Sequence, residues 1–311
     1  MPPTSNRSRG KSAAGSLRRK NTKRLRISII GAGRLGTTLG RALRGAGHPV
    51  NLVVTTRIAT ARRAARTIDS RSLGAIFAHF QDKNADAYRR LSASNLIIIA
   101  TPDAAIESVA NELARVIGGA SAGGSRTVLH TSGAISSQAL SSLRRAGFAT
   151  GSLHPLVSVA DAKSDPKIFR DIHFCVEGDP RAVRVARSLI AQLGGQSFTI
   201  KPDSKPLYHA AAVMTSGHVV ALFDLALTML RRCGLSAREA QRILLPLLRS
   251  TIANLEEKPP AQALTGPYAR NDFETARKHL RALQASGLED ANEAYKILAR
   301  HSVVLGKTLK Q

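Results

Sequence analysis

Cysteine is scarce in this 311-residue chain, which has two, Cys175 and Cys233. They form no metal-ligand spacing and cannot build a disulfide framework, so no metal is expected and a reducing, cytoplasmic setting fits. Acid is also short, 21 residues against 46 basic ones, for a net charge of +25. The first 26 residues hold nine basic residues and no acid, leaving 37 basic against 21 acidic in the rest. Such a body favours phosphorylated or carboxylated ligands and raises non-specific nucleic-acid binding. Residues 1–24 are nearly devoid of apolar side chains and read as a disordered basic tail. The tail lacks the apolar core of a secretory signal and the amphipathic pattern of a transit peptide. A nucleic-acid partner would bind, at most, through it. The most apolar stretch, Lys205–Arg232, is interrupted by His209, His218 and Asp224, which argues against a membrane span. No internal repeat stands out.

What is present begins with the stretch from Leu25 to Gly47. Leu25–Ile30 is a short β-branched apolar run, as expected of a central strand covered on both faces. Gly31-Ala32-Gly33-Arg34-Leu35-Gly36 follows at once, and Leu35, Leu39, Ala42 and Leu43 then recur at helical spacing up to Gly45 and Gly47. In a strand–turn–helix setting this G-x-G-x-x-G predicts a dinucleotide site. Gly31 makes the tight turn, Gly33 admits the pyrophosphate, and Gly36 lets helix and strand pack. The helix N-terminus offers its unpaired N–H groups to the anion.

The next strand, Val50–Thr55, ends where an NAD site usually places Asp or Glu for the ribose 2′-hydroxyl. Here Thr55-Thr56-Arg57 stands instead, and no carboxylate appears before Asp69. A carboxylate repels a 2′-phosphate, whereas Arg57 attracts it by roughly 4 kcal/mol before desolvation, at ~4 Å and an effective dielectric of ~20. The expected cofactor is NADP, with Thr55 and Thr56 as hydroxyl donors. Alternatively, Arg57 merely begins a solvated basic helix with Arg62, Arg63 and Arg66.

Further apolar runs at 96–100 and 127–132 flank a crossover helix marked by Ile106, Val109, Leu113 and Val116. The alternation predicts an α/β, Rossmann-type, doubly wound parallel sheet over 25–203, with ligands at the C-terminal strand ends. Thr101, Pro102, Ser132, Gly133 and Arg57 would line that crevice. His154 falls in a Ser-Leu-His-Pro turn after a strand, and Asp179-Pro180 reads as a helix start. Residues 204–311 are helical in pattern. Lys205–Arg232 reads as one long helix with a buried apolar middle, Ser236–Glu239 as a capping box, and Pro246 as a kink. Asp272 reads as a cap.

Candidate chemistry gathers on that long helix and in the crevice. Lys205, His209, Ala212 and Ser216 share one helical stripe, with His218 on the opposite face. A desolvated lysine or a histidine can move the proton that accompanies a hydride. Otherwise Lys205 is an exposed first-turn residue and His209 a hydrogen-bonded core histidine. His154 is the candidate proton carrier, and His130, inside a strand run, is structural. The loop at 263–272 could fold back on the crevice and hold an anionic substrate through Thr265 and Arg270.

Taken together, Gly31–Gly36, Ser152-Leu-His-Pro-Leu156, Tyr208-His-Ala-Ala-Ala212 and Ala263-Leu-Thr-Gly-Pro267, with Arg270, Asp272 and His279-Leu280, resemble one family. It comprises Rossmann-like proteins with a C-terminal domain of unknown function, DUF2520. The resemblance runs from about Leu25 to the C-terminus. It implies an NADP-binding domain and a helical domain similar to those of 6-phosphogluconate dehydrogenase relatives. It further implies a homodimer through the helical domain. More distantly, Ser132 and Gly151–Pro155 are similar to the serine and His-Pro elements of prephenate dehydrogenases, which singles out Ser132 and His154 as catalytic. Lys205 resembles in place the catalytic lysine of β-hydroxyacid dehydrogenases. The asparagine expected one turn later is replaced by Tyr208 and His209, and Ser216-Gly217-His218 departs from an expected Ser-Asn pair. The expected function is an NADP(H)-dependent oxidoreductase acting on a small, anionic carbonyl or hydroxyl substrate. The alternatives are a non-catalytic NADP-binding sensor or scaffold, and a nucleic-acid-associated protein using the tail.

Overall fold

The computed structural model of the protein describes residues 24–118 and 126–308. The expected disordered tail lies outside the described residues, apart from Arg24. The chain divides into two compact units, one ending at His209 and the other starting at Ala210, a few residues past the change of pattern at 204.

The first unit is built on one eight-stranded sheet. Its strands are β1 (Ile27–Ile30), β2 (Val50–Val54), β3 (Leu73–Ala75), β4 (Leu96–Ile99), β5 (Thr127–His130), β6 (Ala149–Pro155), β7 (His173–Gly178) and β8 (Gln196–Phe198). They lie in the order β3-β2-β1-β4-β5-β6-β7-β8. All neighbours pair in parallel except β6 and β7, which are antiparallel, so the parallel sheet expected from the sequence is only mostly so. The helices are α1 (Arg34–Gly45), α2 (Ile58–Ile68), α3 (Asp86–Ser92), α4 (Ile106–Ile117), α5 (Ser141–Arg145) and α6 (Pro180–Leu193). Alternate residues of the central strands feed two cores. Ile29, Ile98 and Leu129 pack with Leu39 of α1 and Leu189 of α6. Ile30, Ile99 and Val128 pack with Leu113 of α4 and Leu143 of α5 on the other face. Each of these side chains, fully buried, contributes roughly 1.5–3 kcal/mol.

Two local expectations need correction. His154 is not in a turn but inside β6, one residue from its end. Asp179 precedes α6 as foreseen, yet its side chain makes no cap. Its carboxylate instead accepts from the Thr150 amide (2.6 Å) and hydroxyl (3.0 Å), tying the start of α6 to β6.

The helix α7 (Lys205–Thr215) begins in the first unit. The second unit continues with α8 (Gly217–Arg232), α9 (Ala237–Glu257), α10 (Pro260–Ala263), α11 (Pro267–Arg270), α12 (Phe273–Ala285) and α13 (Glu289–Thr308). The single helix expected over Lys205–Arg232 is therefore broken at Ser216, whose backbone leaves helical geometry at φ −117° and ψ −77°. By length and composition Pro202–Arg232 is apolar enough to cross a membrane, with a mean hydropathy of 1.6 over its best window. Ser216 divides it into α7 and α8, of 11 and 16 residues. The middle of this stretch is not buried as expected: no residue of α8 is buried, and Val220 is 70% exposed. Helical pattern alone cannot say what an apolar face is packed against. The Ser236–Glu239 capping box forms with both reciprocal bonds. Helix α9 runs uninterrupted through Pro246, and Asp272 caps α12 by accepting from the Thr275 amide.

Candidate functional site

The glycine turn is built as its spacing requires. Gly31 sits at φ +90°, and a Cβ there would lie 2.6 Å from the Ala100 carbonyl oxygen. A Cβ on Gly36 would lie 2.3 Å from the Gly31 carbonyl oxygen, so these two glycines let α1 and β4 close around the turn. Gly33 differs: its missing Cβ faces open space. It is also the N-cap of α1 and supplies no side-chain cap. The first N–H groups of a 12-residue helix are thus left for an incoming anion. Ala32 and Leu35 pack partly against the core and Arg34 is exposed. At the end of β4, the Thr101 hydroxyl is buried without a partner among the described residues, with Pro102 exposed beside it. This open cradle with an orphaned hydroxyl fits the pyrophosphate of a dinucleotide.

Thr56 and Arg57 are exposed beyond the end of β2, and Arg57 is the N-cap residue of α2. The Thr55 hydroxyl donates to the Arg57 carbonyl oxygen at 2.8 Å, so its proton serves the turn. Among the described residues the Arg57 guanidinium makes no hydrogen bond or ion pair.

A second cluster lies towards the other edge of the sheet, at the C-terminal ends of β5 and β6. In the antiparallel pair β6–β7, Ser152 stands opposite Glu177 and His154 opposite Cys175, while His130 of β5 is in register with Ser152. Residues two apart on a strand share a face, so two polar rows form side by side. The start of α7 covers them, Lys205 meeting one row and Tyr208, three residues on, the other.

Lys205 is completely buried, against the exposed first-turn alternative. Its Nζ donates to the Ser132 carbonyl oxygen (3.0 Å) and the Ser152 hydroxyl (2.7 Å), and lies 3.9 Å from Glu177 Oε1. Burial pushes the lysine below its ordinary pKa, while the Glu177 charge opposes that. Glu177, buried itself, accepts from the Ser137 amide (2.7 Å) and hydroxyl (2.8 Å). The sequence reading missed Glu177. The available signal was a lone acid inside an apolar strand run.

His154 and His209 meet edge to face, ring centres 5.4 Å apart, over Gly133. A Cβ on Gly133 would lie 2.4 Å from His209 Nδ1 and 2.8 Å from His154 Nε2. The His209 Nδ1 is buried with no partner among the described residues. His154 Nδ1 lies 2.7 Å from the Tyr208 hydroxyl. Burial, then the nearby His209 and Lys205 charges, push His154 down to about 4, so it is neutral at physiological pH. Burial holds His130 lower still, at about 3, in keeping with a structural role. The Ser132 hydroxyl accepts from the amides of Ala134 (3.1 Å) and Ile135 (3.0 Å) and so shapes the turn after β5.

Three expected substrate contacts belong to the second unit. Ser216 is exposed at the helix break, and its hydroxyl donates to the Ala212 carbonyl oxygen. Thr265 and Arg270 are exposed before and at the end of α11. Among the described residues no group of three or more His, Cys, Asp or Glu side chains could hold a metal.

A mostly parallel sheet whose first strand runs through an open glycine turn into α1 defines a Rossmann-type protein. Residues 10–155 match the model of a Rossmann-like domain, and residues 172–302 match that of a domain of unknown function, DUF2520. The chain belongs to the family of Rossmann-like proteins carrying a DUF2520 domain. Among solved structures it is similar to a Bacteroides fragilis protein described as a candidate NADP oxidoreductase. That match has 21% identity, a TM-score of 0.69, and covers 90% of this chain and 98% of the other. A Thermotoga maritima protein matches at 21% identity and a TM-score of 0.68, over 92% and 100% of the two chains. A reductive aminase from Aspergillus terreus, solved with NADPH and ethyl levulinate, matches at 16% identity and 0.57, over 93% and 94%. No curated protein matches in sequence. At these identities the structural likeness speaks for the fold.

Proposed function

We propose that the protein is an NADP(H)-dependent oxidoreductase of the cytoplasm, acting on a small carbonyl or hydroxyl substrate. The observation that carries this reading is the His154–His209 ring pair packed against Gly133, just beyond β5. Both rings lie at the C-terminal ends of the parallel strands, as the glycine turn does, since β1, β4, β5 and β6 all run in parallel. Gly31–Gly36 would hold the pyrophosphate, and Thr101 and Pro102 would flank it. Arg57 would hold the 2′-phosphate, with Thr55 and Thr56 beside it. When bound, the nicotinamide supplies or accepts the hydride. His154 would donate a hydrogen bond to the reacting oxygen as its charge develops, with the His209 ring beside it, and the companion proton would come from solvent. Lys205, enclosed by Ser132, Ser152 and Glu177, fixes the end of α7 that carries Tyr208 and His209. Ser132 shapes the turn that presents Gly133. The strongly basic composition supports an anionic substrate.

The exposed apolar residues of the second unit support a homodimer through it. Val220 is 70% and Leu247 63% exposed, more apolar surface than a lone helical unit usually leaves in water. The full burial of Lys205 favours one second reading, a non-catalytic NADP sensor, because the family-like lysine does not reach open space.

The test is NADPH oxidation with a panel of small oxo-acids, in the wild type and in His154→Ala. Turnover that falls by about 100-fold in the variant supports the assignment, the scale of losing one donor to a developing oxyanion. NADPH binding with no turnover on any member of the panel favours the sensor.

A further inference from the structure

The Tyr208 hydroxyl touches two side chains that stand opposite each other on β6 and β7. It lies 2.7 Å from His154 Nδ1, and it interacts with the Cys175 thiol. Phe198, edge to face with the Tyr208 ring at 5.8 Å, and the sheet beneath hold the phenol in this place. One proton on that hydroxyl can point to only one of the two neighbours.

The two wirings differ at the cleft. If His154 donates from Nδ1 to the Tyr208 oxygen, the phenol proton goes to sulfur and Nε2 is a bare acceptor. If the phenol donates to Nδ1, the thiol can donate to the phenol oxygen and His154 carries its proton on Nε2. A neutral thiol is a weak acceptor, whereas an unprotonated imidazole nitrogen is a strong one. Burial raises both the Tyr208 and the Cys175 pKa, so both groups keep their protons. Among the described residues no carboxylate is bonded to His154 to draw the Nδ1 proton.

We infer that Tyr208 is a positioning residue that fixes the His154 tautomer, placing its one ring proton on Nε2, the nitrogen that faces Gly133. Under the oxidoreductase reading, on which only this consequence rests, His154 then meets substrate as a neutral hydrogen-bond donor. The complementary group is a carbonyl oxygen, which accepts a hydrogen bond from His154. The class of substrate this arrangement takes is a carbonyl compound whose oxygen accepts from Nε2. A histidine acting as a general base there would need the opposite tautomer.

The test is long-range 15N–1H correlation NMR on the full chain labelled at histidine, with His154→Ala assigning the signal. The expected spectrum at pH 7 has His154 Nδ1 in the unprotonated, hydrogen-bonded range and Nε2 in the protonated range. In Tyr208→Phe the two nitrogens should shift towards averaged values as the second tautomer becomes populated. Cys175→Ala, an ordinary core truncation, should leave the wild-type signature in place and serves if the phenylalanine variant does not fold. A proton on Nδ1 in the wild type overturns the inference, as does an unchanged spectrum in folded Tyr208→Phe. So does loss of the signature in Cys175→Ala. The readout needs no turnover: the expected tautomer in a protein that reduces nothing leaves this inference standing and removes the oxidoreductase reading.

Discussion

Lys205 Nζ and Glu177 Oε1 lie 3.9 Å apart, with the lysine side chain sealed from solvent and the glutamate 6% exposed. Twenty-eight positions separate them in sequence, so the contact ties the first turn of α7 to β7. Such a pair contributes little beyond what desolvating its members costs, yet breaking it leaves one buried charge unmatched. Lys205→Met should therefore destabilise the protein by about 3–5 kcal/mol. The double variant Lys205→Met with Glu177→Gln should recover much of that loss. Urea unfolding of the four proteins measures the coupling. A Lys205→Met protein with wild-type stability and no activity would instead make the lysine a proton carrier.

The contrast between this pair and the glycine turn shows what the sequence could reveal. Gly31, Gly33 and Gly36 act within one strand–turn–helix, so their spacing is their function and was legible. Lys205 could be read as a desolvated lysine or as an exposed first-turn residue, because nothing near it in sequence announces Glu177. His154 was assigned to a turn by the proline after it, yet β7 pairs with that segment and extends β6 to Pro155 itself. The break at Ser216 was illegible because both flanking segments continue the same apolar pattern. The place of Arg57, exposed just beyond β2, was legible for the opposite reason: a strand end is local information.

The three motif glycines should separate stability from cofactor affinity. Gly31→Ala combines a positive φ with a 2.6 Å approach to backbone, and Gly36→Ala meets the Gly31 carbonyl oxygen at 2.3 Å. Both should lower the melting temperature by several degrees, as a loss of one or two kcal/mol does. Gly33→Ala has room for its methyl group and an ordinary backbone, so its melting temperature should stay within a degree or two of wild type. Its methyl group would occupy the approach to the helix N-terminus, and NADPH affinity should fall at least about tenfold, or 1.4 kcal/mol. Calorimetry that found unchanged NADPH binding in Gly33→Ala would remove the pyrophosphate from this turn.

The Arg57 side chain is exposed and makes no hydrogen bond or ion pair with the described residues, so its replacement is a clean probe of cofactor choice. Arg57→Ser should weaken NADPH binding by roughly 10- to 100-fold, the scale of one charge-assisted phosphate contact. NADH binding should change little. The NADPH-to-NADH ratio, measured by titration at one fixed ionic strength, is the readout, because salt screens the extra phosphate of NADPH more than anything on NADH. A ratio that does not move assigns the selectivity elsewhere.

The second unit offers a prediction on assembly. Val220, Leu247 and Val304 are 70%, 63% and 57% exposed, on α8, α9 and α13. If a second copy covers them, light scattering should give about 66 kDa, twice the 33.1 kDa chain mass. Leu247→Lys should then shift the equilibrium towards monomer at micromolar concentration. A monomeric wild type refutes the dimer directly.

Stability should fall on mild acidification, and the sign follows from the buried histidines. Burial holds His154 down to about 4 and His130 to about 3, and it also lowers His48, all from an unfolded value near 6.5. Between those values the unfolded chain binds protons that the folded chain refuses, so stability rises with pH there. The contribution is complete above pH 6.5 and is lost as pH falls from 6.5 towards 4, with a slope of up to about 1.4 kcal/mol per pH unit for each histidine. The hydrogen-bonded carboxylates Asp69 and Glu239 are held below the ordinary carboxylate range and add their own loss only at lower pH. Urea midpoints at pH 7.5, 6 and 5 isolate the histidine window, and His154→Gln should flatten it by one histidine's share. A stability profile level from pH 6.5 to 4.5 would mean that these rings accept protons in the folded state, and His154 would then enter the cleft as a cation below neutrality.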